Sequence, residues 1–300
     1  ATTEIYTLSL HDALPIYGNQ DGANQVLRKP IGVFDSGVGG LSVLHAIRRS
    51  HPEEAVLYLA DQAHVPYGPR PREEVRRFSQ EITRYLLSLG AKLIVVACNT
   101  ASAAALEYLR QTFPDTPFVG MEPAVKPAAE RTQTGRVGVL ATPATFQGEL
   151  YASVIERFAS GVEVLQHTCP GLVEQIEAGR LDGVKTRDIL EKALQPMLAQ
   201  GIDTVVLGCT HYPFVIPLIR EIAGPQVRVI DPAPAVARQV GRLLEAHHLH
   251  ASPGADRTPA PVCFLTSADP ARLQARLPHL WGEPAQVKGV QWKSGKLPPY

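Results

Sequence analysis

The segment LIVVACNTASAAAL, residues 93–106, contains the change from strand to helix on which this fold is built. It begins with Leu93–Ala97, a continuous apolar run of the kind found in parallel strands that are buried on both faces. Small polar residues and an alanine-rich helical stretch follow directly. The same succession of apolar run and helical stretch recurs along the chain, and this alternation is typical of doubly wound α/β proteins.

Eight further apolar runs predict the other strands. They are Ile31–Phe34, Val56–Leu59, Phe118–Gly120, Val137–Leu140, Val162–Gln166, Thr204–Leu207, Val227–Ile230 and Val262–Thr266. The intervening stretches predict helices at Leu41–Arg49, Arg72–Leu89, Ser102–Gln111, Phe146–Ala159, Thr186–Leu198 and Ala235–Ala246. Ligands of such folds bind beyond the carboxyl ends of the strands, so we expect the functional residues there.

A weak internal repeat relates two parts of the chain. Ile31–Ser36 resembles Val137–Thr142, and Leu93–Thr100 resembles Thr204–His211, with offsets of 106 and 111 residues. Each part therefore supplies one hydroxyl and one thiol from matching strand ends. We expect two parallel-sheet domains related by a pseudo-twofold axis, with the active site in the cleft between them.

The expected domains are residues 30–121 together with 232–300, and residues 122–231. The first 29 residues differ from the rest, because their apolar positions are interrupted by polar residues and Pro15, which disfavours a secretory signal. They also look like translated sequencing-adapter sequence. We expect residues 1–29 to be a non-native or disordered extension.

The overall composition excludes several classes of function. The chain has 29 Lys and Arg residues and 29 Asp and Glu residues, so its formal net charge is zero. This balance removes the usual electrostatic case for binding nucleic acid or an anionic membrane. No run of 18 apolar residues occurs, and the four cysteines are too few and scattered for a disulfide scaffold or a CxxC zinc site. We therefore expect no metal, nucleic-acid or membrane partner.

Two of the four cysteines stand in equivalent positions of the repeat. Cys98 and Cys209 each follow an apolar run and precede small polar residues. Because a helix N-terminus stabilises a thiolate, we expect both thiols to lose their protons readily. Cys169 and Cys263 lack this context and are interpreted as small core residues.

Two thiols that face one small cavity are compatible with a redox disulfide or with a two-base reaction. A redox pair typically shows a CxxC spacing or an exposed resolving cysteine, and neither is visible here. A two-base racemase removes a proton from one face of a carbon atom and returns one to the other face. A thiol and a thiolate meet this need without a cofactor, so the sequence favours a racemase.

The glycine-rich turn after the first predicted strand offers a second set of candidates. Asp35 and Ser36 precede the Gly37–Gly40 turn, where backbone N–H groups can approach a carboxylate, although an Asp-Ser pair before a helix can also be a plain N-cap. Asp35 could hold an ammonium group or assist proton transfer. The Pro66–Gly68 segment is a turn signal that is equally compatible with a plain β-turn and with a ligand contact.

Polar residues near the second thiol add further candidates. His211 lies two residues after Cys209 and can act on it as a base or orienting group, and Glu174 or Glu177 could fix its tautomer. Solvated helix carboxylates are the ordinary interpretation of such glutamates. The remaining candidates, Thr142 and Thr145, could donate hydroxyls to an anionic ligand or could cap a helix.

Five motifs together resemble the cofactor-independent aspartate/glutamate racemase superfamily, and within it the glutamate racemases. They are GVFDSGVGGLSVL, VPYG, VVACNTASA, LATPAT and LGCTHYP, beginning at residues 32, 65, 95, 140 and 207. The likeness covers about residues 30–270, and the combination is specific although each motif alone is not. It implies interconversion of L- and D-glutamate without a cofactor, supplying D-glutamate for bacterial peptidoglycan and hence for cell shape.

The resemblance also implies roles for individual residues. Cys98 would remove the α-proton of D-glutamate with assistance from Asp35, and Cys209 that of L-glutamate with assistance from His211 and a glutamate. Ungapped alignment of the family pattern after Cys169-Pro170 favours Glu177 for that glutamate. The positions that match the family's substrate-binding residues are Asp35, Ser36, Tyr67, Gly68, Asn99, Thr100, Thr210 and His211.

Two alternatives remain open from the sequence. An aspartate or other amino-acid racemase would share the two-thiol logic, but aspartate racemases typically have Glu after the second Cys-Thr, where this chain has His211. The other alternative is a non-catalytic protein that binds a small anion on the same fold. We further expect a cytoplasmic protein that forms a homodimer.

Overall fold

The computed structural model describes residues 29–251 and 259–298. The expected N-terminal extension, residues 1–29, therefore lies outside the described residues except for Lys29. Within the described part of the chain, no helix is both long enough and apolar enough to span a bilayer.

The described strands form two separate sheets in which all pairs are parallel. Strands β1 to β4 are Ile31–Asp35, Val56–Ala60, Leu93–Val96 and Phe118–Gly120, and β5 to β8 are Arg136–Ala141, Glu163–His167, Thr204–Gly208 and Arg228–Ile230. The last two, β9 and β10, are Val262–Thr266 and Val287–Gly289. The first sheet has the order β10-β9-β2-β1-β3-β4, and the second has the order β6-β5-β7-β8. The protein thus has two parallel-sheet α/β domains, as predicted.

The two sheets share one arrangement of four strands. In the first sheet β1 lies between β2 and β3, and β4 lies beyond β3. In the second sheet β5 lies between β6 and β7, and β8 lies beyond β7. The repeat seen in the sequence is therefore a repeat of strand order. It places Ser36 and Thr142 after the equivalent strands β1 and β5, and Cys98 and Cys209 after β3 and β7.

Eleven α-helices in the described residues connect and cover these strands. Helices α1 to α6 are Leu41–Ser50, Arg72–Ser88, Asn99–Thr112, Val125–Ala129, Pro143–Phe146 and Glu149–Phe158. Helices α7 to α11 are Leu172–Glu177, Val184–Ala199, Ile216–Ala223, Ala233–Ala246 and Pro270–Leu280. Helix α10 packs beside the first sheet's α1, where the ring of His51 lies 3.0 Å from the Ala237 carbonyl oxygen.

Burial of whole strands provides the cores. Every residue of β1, β2, β3 and β7 is buried, as the continuous apolar runs predict. Strand β6 is only partly buried, because it lies at the edge of the second sheet. These rigid central strands fix the position of the residues at their carboxyl ends, where the candidate site residues lie.

Several predicted helix boundaries differ from the structure, since the helices predicted from Thr186 and Ala235 begin two residues earlier, and two differences are larger. The stretch predicted as one helix from Phe146 to Ala159 forms α5 and α6, which are separated by Gln147 and Gly148. Helix α3 begins at Asn99 rather than Ser102 because Cys98 itself is the N-cap, with its sulfur accepting a hydrogen bond from the Ala101 N–H at 3.4 Å.

Candidate active site

The carboxyl ends of the central strands of both sheets meet at one small cavity. Its volume is about 20 Å³, far below the roughly 300–1,000 Å³ typical of ligand pockets. The predicted residues that line it are Ser36, Tyr67, Gly68, Cys98, Asn99, Thr100, Thr142, Cys209, Thr210 and His211. Pro66 and Val173 complete the lining. The cavity therefore receives both thiols. Cys98 comes from the half of the molecule that contains the first sheet, and Cys209 comes from the half that contains the second sheet.

Cys98 lies at the start of α3 and is almost fully buried. Its sulfur is 4.0 Å from the Ser36 hydroxyl oxygen. Burial raises the pKa of Cys98 well above its ordinary value, and the negative charge of Asp35 raises it further, while the Ala101 N–H acts in the opposite direction. The expectation that a helix N-terminus makes this thiol easy to deprotonate is therefore wrong, because burial outweighs the single N–H contact.

Asp35 lies directly behind the cavity lining and is fully buried. Its carboxylate accepts hydrogen bonds from the backbone N–H groups of Ser36, at 2.6 Å, and Gly40, and from the Thr210 hydroxyl at 3.2 Å. Burial raises the pKa of Asp35, although the positive charge of His211 acts against this shift. Because Thr210 belongs to the second half, this carboxylate also joins the two halves behind Cys98.

Cys209 is paired with an imidazole rather than with a helix N-terminus. The residues after it form a short 3₁₀ turn, Tyr212–Val215, so the expected helix start directly behind this thiol is wrong. Instead, its sulfur lies 3.8 Å from Nδ1 of His211, whose Nε2 lies 2.7 Å from Oε1 of Glu177. The three side chains form a continuous line from thiol to carboxylate.

The charges in this line support one another. Burial alone would lower the pKa of His211, but its hydrogen bonds to Cys209 and Glu177 and their negative charges raise it well above its ordinary value. Burial would raise the pKa of Glu177, but His211 and two donors from the first half lower it. An imidazolium beside an ionised carboxylate is therefore the favoured state of this pair.

Glu177 is held by two residues of the first half that sequence reasoning missed. Its Oε1 accepts a hydrogen bond from the Val38 N–H at 2.7 Å, and its Oε2 accepts one from the Gln62 amide at 3.0 Å. The Gln62 amide oxygen accepts in turn from the Thr266 hydroxyl at 3.1 Å. No signal in the sequence indicated these contacts, because Val38 and Gln62 are 139 and 115 residues from Glu177.

The alternative glutamate, Glu174, lies one helical turn earlier on α7, and both glutamates line a cleft outside the cavity. It makes no ion pair with His211 in the described part of the chain. The alignment-based choice of Glu177 over Glu174 therefore agrees with the geometry around His211.

Hydroxyl groups from both halves meet on another wall of the cavity. The Thr100 and Thr142 hydroxyl oxygens lie 2.8 Å apart, and Thr142 lies 3.0 Å from the hydroxyl of Thr145 behind it. Thr142 also caps α5, so its candidate roles in capping and in ligand binding coexist. Thr145 is buried and does not line the cavity itself.

The amide of Asn99 is the most available polar group of the cavity. The side chain is 3% exposed, and neither its oxygen nor its nitrogen has a hydrogen-bond partner among residues 29–251 and 259–298. Leaving a buried amide unpaired costs about 1–3 kcal/mol. A polar ligand in the cavity would satisfy both atoms.

The other two cysteines lie away from the cavity lining. Burial raises the pKa of Cys169 to about 12 and that of Cys263 to about 11, so both are neutral thiols near neutral pH. All four described cysteines are free. The geometry thus separates two cavity thiols from two core thiols, as the repeat predicted.

Comparison with known proteins identifies the family. The family model for Asp/Glu/hydantoin racemases matches residues 32–240. The chain belongs to this racemase family. It is 54% identical over 257 residues to the glutamate racemase of Pseudomonas aeruginosa, covering 86% of this chain and 96% of that protein.

Solved structures of glutamate racemases have the same fold as this family member. The enzyme of Francisella tularensis in complex with D-glutamate superposes with a TM-score of 0.76 at 28% identity, covering 88% of this chain and 98% of that one. The Escherichia coli enzyme in complex with L-glutamate and the activator UDP-MurNAc-Ala gives a TM-score of 0.76 at 32% identity and the same coverage. The sequence-based assignment to the aspartate/glutamate racemases is therefore confirmed.

Proposed function

We propose that this racemase interconverts L- and D-glutamate, with Cys98 and Cys209 as the two acid/base groups and no cofactor. The observation that carries the proposal is that both thiols line one small cavity from equivalent strand ends of the two halves. In this proposal the cavity is the cleft between two domains, residues 30–121 with 232–300 and residues 122–231.

Within one turnover the proton transfers balance with these two groups, and proton exchange with solvent then restores the starting thiolate and thiol. With D-glutamate, the Cys98 thiolate takes the α-proton and becomes a thiol, which leaves a carbanion at Cα. The Cys209 thiol then gives its proton to the opposite face, which yields L-glutamate and a Cys209 thiolate. With L-glutamate the two sulfurs exchange roles. Each direction moves two protons and needs no external oxidant or reductant.

Each thiol has its own assisting group. Asp35, whose negative charge raises the pKa of Cys98, can attract the substrate ammonium group to this side of the cavity, and the ammonium charge would then offset the charge that opposes thiolate formation. On the other side, the imidazolium of His211, which Glu177 stabilises, provides a positive charge next to Cys209. The pairing of a carboxylate with one thiol and an imidazole with the other makes the two half-reactions chemically different.

The cavity walls offer donors for the two carboxylates and the ammonium group of glutamate. We propose that the following residues bind the substrate, either directly or through a neighbouring side chain: Asp35, Ser36, Tyr67, Gly68, Asn99, Thr100, Thr142, Thr145, Thr210 and His211. Of these, Asp35 and Thr145 lie behind the lining, so they act through Ser36, Thr210 and Thr142, which they contact. The unpaired amide of Asn99 is the strongest single candidate for direct contact.

Glutamate is favoured over aspartate by two observations. The relatives described above are glutamate racemases, and two of them bind D- or L-glutamate. In this chain His211 follows the second Cys-Thr, at the position where aspartate racemases typically have glutamate. We further propose that the D-glutamate serves peptidoglycan synthesis in the bacterial cytoplasm, and that the protein forms a homodimer whose mass light scattering can measure.

The proposed activity can be tested with purified protein in deuterated water without pyridoxal phosphate. We expect the α-proton signal of L-glutamate to disappear and D-glutamate to form. L-aspartate, measured in parallel, should react at least about tenfold more slowly, since one methylene in a fitted pocket is worth roughly 10–200-fold. Absence of exchange in both glutamate enantiomers would contradict the proposal.

A further inference from the structure

Asp61, directly after β2, has a fully buried carboxylate with four hydrogen-bond donors around it. Oδ2 accepts from the Tyr67 hydroxyl at 2.6 Å and lies 2.9 Å from Nδ1 of His64. Oδ1 accepts from the Ser267 hydroxyl at 2.6 Å and from the Trp292 indole N–H at 2.8 Å. A carboxylate that satisfies four donors fixes all of them at once, because each charge-assisted bond is strong.

Tyr67 connects this cluster to the cavity. It lines the cavity beside Cys98, and both side chains belong to the same apolar cluster. Burial, followed by the negative charge of Asp61, raises the pKa of Tyr67 well above its ordinary value, so its hydroxyl remains a donor. The orientation of Tyr67, and with it the 65–68 loop, therefore depends on the Asp61 carboxylate.

Trp292 reaches the same carboxylate from the segment after the last strand. Its ring packs edge-on against His64 at 5.0 Å and against Phe78 at 5.5 Å between centroids. His64 stacks on Phe78 at 3.9 Å, and Phe78 lies 5.7 Å from the ring of Tyr67. The C-terminal segment thus contacts the cavity loop through one carboxylate and one aromatic cluster.

We propose that Asp61 is a positioning residue for the racemase reaction, which holds Tyr67 and the 65–68 loop against the Cys98 side of the cavity, and that Trp292 sets this position through Asp61. The inference rests on the proposed function for its kinetic consequence. Its structural consequence, restricted access to Cys98, does not depend on turnover.

The kinetic test compares Asp61→Asn and Trp292→Phe with the wild-type protein. Asn keeps the volume but offers one acceptor atom in place of two, and Phe keeps an aromatic ring but removes the N–H. We expect KM for both glutamate enantiomers to rise about tenfold or more in Asp61→Asn and about threefold in Trp292→Phe, with a smaller change in kcat, because a charge-assisted hydrogen bond is lost. In the double variant Asp61→Asn with Tyr67→Phe, KM should be no higher than in Asp61→Asn alone, because both substitutions act on the same contact between Tyr67 and Asp61.

Trp281→Phe is the matched control. This second tryptophan also follows β9, but it stacks on His45 and donates to Glu283 at 3.2 Å, away from the cavity. Trp281→Phe should keep the wild-type KM. A wild-type KM in both folded test variants, or additive effects in the double variant, would overturn the inference.

Alkylation by iodoacetamide provides a readout that does not require activity. We expect the rate at Cys98, followed by peptide mass spectrometry, to rise about tenfold in Asp61→Asn and measurably in Trp292→Phe. The rate at Cys263, a buried thiol on β9 outside the cavity, should not change. An unchanged rate at Cys98, or equal increases at Cys98 and Cys263, would mean that Asp61 only supports the core. Should the wild-type protein not racemise glutamate, this comparison would still decide the inference separately from the proposed function.

Discussion

Glu177 accepts a hydrogen bond from Nε2 of His211 at 2.7 Å, on the side of the ring opposite to Cys209. The same carboxylate oxygen accepts from the Val38 N–H of the other half. The charge state of the imidazole therefore depends on contacts that only the assembled pair of domains provides. Proton transfer at Cys209 should therefore slow when the Glu177 carboxylate is removed or displaced.

Replacing Glu177 by Gln should change the pH dependence of racemisation. The carboxylate raises the pKa of His211, so its loss lets the imidazolium lose its proton at lower pH. We expect the alkaline limb of kcat/KM to move toward lower pH, and the maximum to fall about 10–100-fold. Glu174→Gln, which removes a carboxylate of the same helix that does not pair with His211 among the described residues, should retain the wild-type profile. Identical profiles for both variants would contradict the assigned role of Glu177.

The same pair predicts a pH-dependent contribution to stability. The lowered pKa of Glu177 stabilises the fold above its ordinary value of 4.5, and this contribution is lost as the pH falls through the folded value. The raised pKa of His211 stabilises the fold below its ordinary value of 6.5, and this contribution is lost as the pH rises through the folded value. Both contributions are present between these two values.

Urea unfolding of the wild-type protein and Glu177→Gln measures this difference. The wild-type advantage in free energy of unfolding should be about 1–3 kcal/mol near pH 5.5, and it should shrink as the pH is raised through the folded pKa of His211. A difference that stays constant or grows with pH would show that the stabilisation does not come from this ion pair.

Gly37→Ala should impair the same pair through steric overlap. A Cβ atom at Gly37 would overlap the Glu177 carboxylate and also approach Val65. Displacement of Glu177 should reproduce the shifted pH profile of Glu177→Gln and lower kcat/KM about tenfold or more. Gly183→Ala provides the control, because a Cβ at Gly183 meets no atom within 4 Å and its φ of −67° suits alanine. Wild-type kinetics in Gly37→Ala would exclude the tight packing described here.

The four cysteines should separate into two classes on substitution. Cys98→Ala and Cys209→Ala remove one acid/base group each, so each should lower kcat about 100-fold to 10,000-fold while the protein stays folded. Cys169→Ala and Cys263→Ala should retain kcat and lose only about 1 kcal/mol of stability from lost packing. Full turnover in either cavity variant, measured by chiral chromatography, would rule out the two-thiol mechanism.

Periodicity and turn residues in the sequence predicted most of the fold. All nine predicted strands are present, with ends that differ by at most one residue, because buried parallel strands produce uninterrupted apolar runs. Strand β10 was missed because Val287–Gly289 is a short edge strand that carries little apolar signal. Helix α11 was missed because Pro270 and Pro278 resemble loop signals, although Pro270 occupies the first turn, where proline is tolerated.

The sequence predicted those residues of the candidate site that directly follow a strand. Cys98 and Cys209 were found from their equivalent positions after apolar runs, and His211 from its proximity to Cys209. Val38, Gln62 and Asp61 were missed because their importance comes from partners more than a hundred residues away or from a network built across loops. The pKa direction at Cys98 was also missed, since the depth of burial is a property of the folded molecule.

The isotope content of the first product tests the two-base account most directly. Wild-type protein equilibrated in deuterated water is given protiated L-glutamate, and the first D-glutamate formed is separated and analysed by mass spectrometry. Because the Cys98 thiol carries deuterium from the solvent, the product should contain deuterium at Cα from the outset, while unreacted L-glutamate still carries protium. A first product that retains the substrate's own α-proton would mean that one group serves both faces and would contradict the account.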